Sequence, residues 1–178
     1  INSSLNANGL AQAQQFYEAY KHVKFDKVYT SELKRTQQSV ENFINDGIPH
    51  ESLFAFNEIN WGIVEGVKPN NPIASKFVET MDKWRNGILD IAVESGETPL
   101  EMQKRQRKGI NYLINQTNES TVLLVSHGRA MRSLMCTMLN KPLDQMDEFA
   151  HTNLCLYKLE YSNGEWKVIL KNDTTHLS

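Results

Sequence analysis

The longest unbroken apolar signal in the chain is Thr121 to Val125, five residues that are apolar or β-branched with no polar alternation. A strand buried on both faces of a parallel sheet has this pattern. A Ser126-His127-Gly128 turn follows, and the spacing then changes to three and four residues: Ala130, Met131, Leu134, Met135, Met138 and Leu139 predict a helix from Arg129 to Leu139. A similar switch occurs earlier, where the strand candidate Phe25–Ser31 runs into helical spacing from Leu33 to Phe43. Ahead of it, Leu10, Ala13, Phe16, Tyr17 and Tyr20 make one face of an amphipathic helix over Ala7–Val23, with Asn6 or Ser4 as its cap. Leu53–Phe56 is a third apolar run and strand candidate, followed by an irregular loop from Asn57 to Gly66. From Val67 to Val93, a Pro-Asn-Asn-Pro loop precedes sparse helical spacing (Phe77, Val78, Met81, Trp84, Ile88, Ile91), which predicts a helical excursion over one side of the sheet. Thr98-Pro99-Leu100-Glu101 is a capping box with proline at the first helical position, opening a helix that runs to about Asn115. After a loop or short helix at Pro142–Phe149, two alternating runs flank Asn163-Gly164, the signal of a β-hairpin. The order predicts an α/β fold of three layers, α/β/α, with a mostly parallel central sheet and an antiparallel edge. It forms one domain over 1–178, with the excursion at about 67–96 as a cap.

The strand-to-helix junctions are where an open α/β sheet binds ligands. His127 sits at one, beside Gly128, which lets a ligand approach the backbone, and beside a helix N-terminus that favours anions. The same histidine could equally bond a neighbouring carbonyl in a tight turn. At the other junction Ser31 could cap the helix, and Arg35 could lean back over the sheet edge, where a guanidinium suits phosphate oxygens; a solvated arginine is the plain alternative. In the Asn57–Gly66 loop, Glu58 or Glu65 could serve as a general acid, against the alternative of a solvated carboxylate. Lys104, Arg105, Arg107 and Lys108 read as a solvated helix face, because no aromatic residue is interleaved among them.

Composition narrows the partners. A formal net charge of −2 gives no reason to expect nucleic acid or an anionic membrane, and no apolar run reaches membrane-spanning length. Cys136 and Cys155 have neither CxxC nor metal-ligand spacing, which predicts two free thiols in a reducing, cytoplasmic setting. No cofactor and no metal site is indicated.

Five pieces taken in order resemble the histidine phosphatase superfamily, the phosphoglycerate-mutase-like fold. They are Leu5–Ala13; Thr30-Ser31-Glu32-Leu33-Lys34-Arg35 running to Ser39; Asn57-Glu58-Ile59-Asn60-Trp61-Gly62 with Glu65-Gly66; Gly96-Glu97-Thr98 with Arg105; and Val125-Ser126-His127-Gly128. The resemblance implies that Arg35, His127 and Gly128 bind a transferring phosphoryl group, that Glu58 is the proton donor and that Glu65 belongs to the loop structure. It also implies an Arg-His-Gly strand, carrying the nucleophilic histidine, upstream of Leu5. No Arg-His-Gly occurs in this sequence, and His22, His50, His151 and His176 lie in other contexts. We therefore expect roughly 10 to 30 further residues before Ile1, enough for a strand and a loop. The implied activity is hydrolysis of a small phosphorylated metabolite through a phosphohistidine. The alternatives are a noncatalytic phosphate-binding or regulatory module and a phosphoglycerate-type mutase, for which the Gly66–Gly96 stretch is short. Neither the substrate nor the oligomeric state can be read from the residues.

Overall fold

A computed structural model describes residues 1–178. Its centre is a parallel sheet of three strands, β1 (Lys27–Thr30), β2 (His50–Ser52) and β3 (Val122–Val125), in the order β2-β1-β3. In register, Val28 faces His50 and Thr30 faces Ser52 on one side; Lys27 faces Val122 and Thr30 faces Val125 on the other. The middle position explains why Val28, Tyr29 and Thr30 are fully buried.

Alternation along the strands sends side chains to two faces. Val28 and Leu123 pack on one side against Phe16, Val40 and Phe43. These come from α1 (Ala7–Tyr20), from α3 (Glu41–Asn45) and from the break between α2 (Lys34–Ser39) and α3. Leu124 packs on the other side with Phe56, with Ile110 of α5 (Pro99–Ile114) and with Leu134 of α6 (Gly128–Met138). Two caps follow the sequence: Asn6 Oδ1 accepts the Gly9 N–H at 2.8 Å, and the Thr98/Glu101 capping box is complete.

Four elements depart from expectation. The helix over 33–43 is broken at Val40 (φ −127°), where the Ser39 hydroxyl donates back to the Arg35 carbonyl at 2.9 Å, a bond that bends helices. The break turns both Val40 and Phe43 into the core. The strand expected at Leu53–Phe56 lies earlier, at β2; after Leu53 N–H bonds the Thr30 carbonyl, residues 54–56 form a 3₁₀ turn that buries Phe56 against α5. In the excursion, α4 (Ser75–Arg85) stops at Gly87 (φ +81°), so Ile88 and Ile91 lie in a loop. The hairpin strands β4 (Leu156–Ser162) and β5 (Glu165–Asp173) turn at Asn163-Gly164, both at positive φ, as a type I′ turn requires. They form a separate two-stranded sheet, not hydrogen-bonded to β3. Side chains hold it in place: Leu156 joins the cluster of Val28 and Leu123, while Tyr157, Leu159 and Val168 pack on Met135 and Cys136 of α6. Cys136 is buried, Cys155 is half-buried, and both are free thiols. No helix is long and apolar enough to cross a membrane.

Candidate active site

Chain leaving the carboxyl ends of the three parallel strands delivers Ser31 and Arg35 after β1, Glu58 after β2, and His127 and Gly128 after β3. Arg35, Glu58, His127 and Gly128 line a single cleft of about 410 Å³, with Ser4, Asn6 and Gln12 from the start of the chain and His151 and Asn153 from the approach to β4. The Glu58 carboxylate, the Arg35 guanidinium and the His127 imidazole are thus brought together, while Glu65 does not line the cleft.

His127 is the N-cap residue of α6 and is 7% exposed. Its Nδ1 accepts from Arg35 Nε–H at 3.1 Å, and its Nε2 lies 2.7 Å from Ser31 Oγ. Burial, followed by the charges of Arg35 and Arg105 and by His151, pushes its pKa down from 6.5 to about 3. The ring is therefore neutral at pH 7. Arg35 also donates Nη1–H to the Ile1 carbonyl at 2.8 Å.

The first turn of α6 has unpaired N–H groups, as every helix start does. Here Ala130 N–H reaches Glu58 Oε1 at 2.9 Å and Arg129 N–H reaches Oε2 at 3.2 Å, so the helix positive end holds this carboxylate. Gly128, one residue earlier, is free to present its N–H to a ligand. A Cβ on Gly128 would come within 3.3 Å of the His151 ring, so the close approach depends on glycine.

Arg105 corrects the expectation of a solvated basic face. It is nearly buried and grips Glu97 through two bonds, Nε–Oε1 at 2.6 Å and Nη2–Oε2 at 2.9 Å. Its remaining donors go to the carbonyls of Phe54, Ala55 and Glu58. It thereby fastens the backbone that presents Glu58. Glu65 accepts the Trp61 N–H at 3.2 Å, consistent with a part in the loop. Gly62 sits at φ +58° with the Glu94 carbonyl where a Cβ would stand, which locks this loop to the 94–98 segment.

Ser31 is a second correction: the cap position of α2 is Leu33, without a side-chain bond, and Ser31 spends its hydroxyl on His127, Thr36 and the Leu33 N–H. His151 is a residue that sequence reasoning missed as a cleft residue. Burial and then Arg132 lower its pKa. Its only sequence signal was an imidazole in a turn before a strand, which is too common to single out.

The model of the histidine phosphatase superfamily (branch 1) matches residues 1–174. The chain belongs to that family. Among curated relatives, the Probable phosphoglycerate mutase GpmB of Proteus mirabilis is 28% identical over 173 residues, covering 93% of this chain and 77% of its own. Among solved structures, the alpha-ribazole phosphatase of Shigella flexneri has a TM-score of 0.83 at 23% identity, over 97% of this chain and 86% of the other. A mycobacterial glucosyl-3-phosphoglycerate phosphatase with inorganic phosphate has a TM-score of 0.87 at 18% identity, over 100% and 91%. These likenesses establish the fold, a parallel sheet with a small antiparallel pair.

Proposed function

We propose that the protein is a phosphomonoesterase acting on a small phosphorylated metabolite through a phosphohistidine. One observation carries this reading: Arg35, Glu58, His127 and the Gly128 backbone share one cleft at the carboxyl edge of the parallel sheet. In the proposed reaction a histidine attacks phosphorus in line while Glu58 gives its proton to the leaving oxygen, and the P–O bond breaks as the N–P bond forms. Water then attacks the phosphohistidine, Glu58 takes the water proton, and inorganic phosphate leaves. Arg35, His127 and the Gly128 N–H hold the nonbridging oxygens.

The nucleophile belongs to a further strand, which we place between β3 and β4. Each is the outer strand of its sheet, and the two do not pair. Three of the four apolar residues of β3 remain partly exposed, although an unpaired apolar edge is a liability that proteins cover. Val125 of β3 and Leu156 of β4 pack on the same cluster, so the two edges flank one space. An Arg-His-Gly strand there would open its carboxyl end into the cleft beside His127.

The test uses the full natural chain. Incubation with a panel of phosphate monoesters should release inorganic phosphate, and acid-stable, base-sensitive labels should be absent in favour of an acid-labile phosphohistidine trapped by rapid quench. The relationship to a probable mutase favours one competing outcome, transfer of the phosphoryl group between positions of phosphoglycerate. Phosphoryl exchange exceeding phosphate release would select the mutase, and phosphate binding without either would select a noncatalytic module.

A further inference from the structure

A chain of hydrogen bonds runs from the cleft into the core: Arg35 Nε to His127 Nδ1 (3.1 Å), His127 Nε2 to Ser31 Oγ (2.7 Å), Ser31 Oγ to Thr36 Oγ1 (2.9 Å) and Thr36 Oγ1 to the Leu33 carbonyl (2.8 Å). The middle groups can donate or accept, but the ends cannot choose. A guanidinium N–H only donates, and a carbonyl only accepts. The direction is therefore fixed throughout. His127 accepts at Nδ1 and carries its proton on Nε2; Ser31 accepts that proton and gives its own to Thr36; Thr36 gives its own to Leu33. The remaining lone pair of Ser31 Oγ takes the Leu33 N–H at 3.1 Å, so every proton and lone pair of that hydroxyl is used. The opposite polarity would set two N–H bonds head-on across 3.1 Å. Ser31 is fully buried and Thr36 is 2% exposed, so water cannot substitute for either partner.

We infer that Ser31 and Thr36 are positioning residues that set the tautomer of His127, keeping Nε2 protonated and the Nδ1 lone pair turned to the guanidinium of Arg35. One consequence rests on the phosphate reading above. Because Nδ1 has no proton to offer, an anion can be held there only if the ring takes one up, giving an imidazolium whose Nε2–H still rests on Ser31. Phosphate binding should then be coupled to protonation of His127.

The decisive measurement is nitrogen-15 histidine NMR on the full natural chain, first without ligand. His127 should appear as the neutral Nε2–H tautomer. Thr36→Val removes a hydroxyl that does not touch His127 while keeping the side-chain shape, so the Ser31 proton loses its acceptor and competes for Nε2 against the hold of Arg35 on Nδ1. The neutral ring should then show a measurable share of the Nδ1–H tautomer, which the wild type lacks. Ser31→Ala should replace the single tautomer with a mixture, and if that variant fails to fold, Thr36→Val still decides. A wild-type ring protonated on Nδ1, or a Thr36→Val ring unchanged from wild type, overturns the inference. Inorganic phosphate is added last. Shifts at Arg35 and Gly128 with a newly protonated Nδ1 support the coupling; the same shifts with a bare Nδ1 overturn it. No shifts at Arg35 or Gly128 would refute the phosphate reading and leave the tautomer assignment standing.

Discussion

The floor of the cleft and the 67–96 cap are built by opposite means. On the floor, Ser31, Thr36 and His127 are buried and each polar atom has a named partner a few ångströms away. In the cap, α4 buries only Thr80, Met81 and Trp84, while Phe77, Val78 and Ile88 stay exposed. It is attached by Met81 and Trp84, which join Ile59, Met102 and Ala130 in one buried cluster, by the Trp84–Trp61 stack at 5.6 Å, by the Ile63 N–H bond to the Glu94 carbonyl at 3.0 Å and by Arg85, which pairs with Asp147 at 3.1 Å. None of the cap residues lines the cleft. The cap reaches the site at second hand, through Ile59 and Trp61 of the loop that Arg105 and Glu97 hold and through Ala130, whose N–H bonds Glu58. A hydrogen-bonded network suits a ligand group with fixed geometry, whereas the exposed outer face of the cap can vary without moving the groups beneath it.

The first way to break this comparison is at Glu58, where loop and floor meet. Glu58→Gln keeps size and polarity but has no proton to transfer, and turnover should fall by about 10²- to 10⁴-fold while phosphate binding changes much less. In single-turnover reactions the loss should be larger for an alkyl phosphate than for p-nitrophenyl phosphate, whose leaving group departs with little protonation. Equal losses would remove Glu58 from the acid role. Next in size is Arg105→Ala, which strands Glu97 and frees three carbonyls. Breaking a buried pair on one side costs roughly 3–5 kcal/mol, read as a lower denaturant midpoint. If the loop depends on this grip, turnover should fall in the variant even under conditions where it remains folded.

His127 gives a smaller, pH-dependent effect. Its pKa is about 3 in the folded chain and 6.5 when unperturbed, so between these values the unfolded state binds the extra proton. Stability should therefore decline as pH drops below 6.5. From pH 7 to 5, with the slope approaching 1.36 kcal/mol per unit once the unfolded ring is protonated, this group contributes about 2 kcal/mol of the decline. His127→Gln should flatten that limb of a Tm-against-pH curve; an unchanged slope would show that the ring is not buried neutral. Smallest of all should be Val78→Ser on the outer face of α4, where a surface change stays within about 0.5 kcal/mol. A large loss of phosphate affinity in this variant would erase the distinction between floor and cap.

Much of the floor was legible because its signals are local. An apolar run, a Ser-His-Gly turn and a change from strand to helical spacing all lie within a dozen residues, and the capping box at Thr98 specifies its own bonds. What the sequence hid was set by distant partners. Arg105 looks like its basic neighbours until Glu97 and three carbonyls are placed around it. Ser31 resembles a helix cap because its spacing to α2 permits one, and only the arrival of His127 from a position 96 residues later redirects the hydroxyl. Strand β2 was misplaced by three residues because Leu53, Phe54 and Phe56 are more apolar than His50, Glu51 and Ser52. In the fold, the polar segment completes the sheet through its backbone, and the apolar one packs under α5. The separation of the hairpin from the parallel sheet had no local signal at all, since which edges pair is decided by segments far apart in the chain.

The cluster at Asp147 has a kinetic consequence. Arg85, Arg129 and Arg132 share this one carboxylate and Arg85 also pairs with Asp82, so three guanidiniums face two carboxylates and one positive charge remains in excess. Arg132 is close enough to the cleft to depress the pKa of His151. Although the whole chain is slightly acidic, an approaching anion meets a locally attractive field before it touches Arg35. Capture should be faster than neutral diffusion allows at low ionic strength and should slow once the Debye length shrinks to about 10 Å near 0.1 M salt. Such an entrance favours anions as a class, leaving the choice among them to contacts made after arrival.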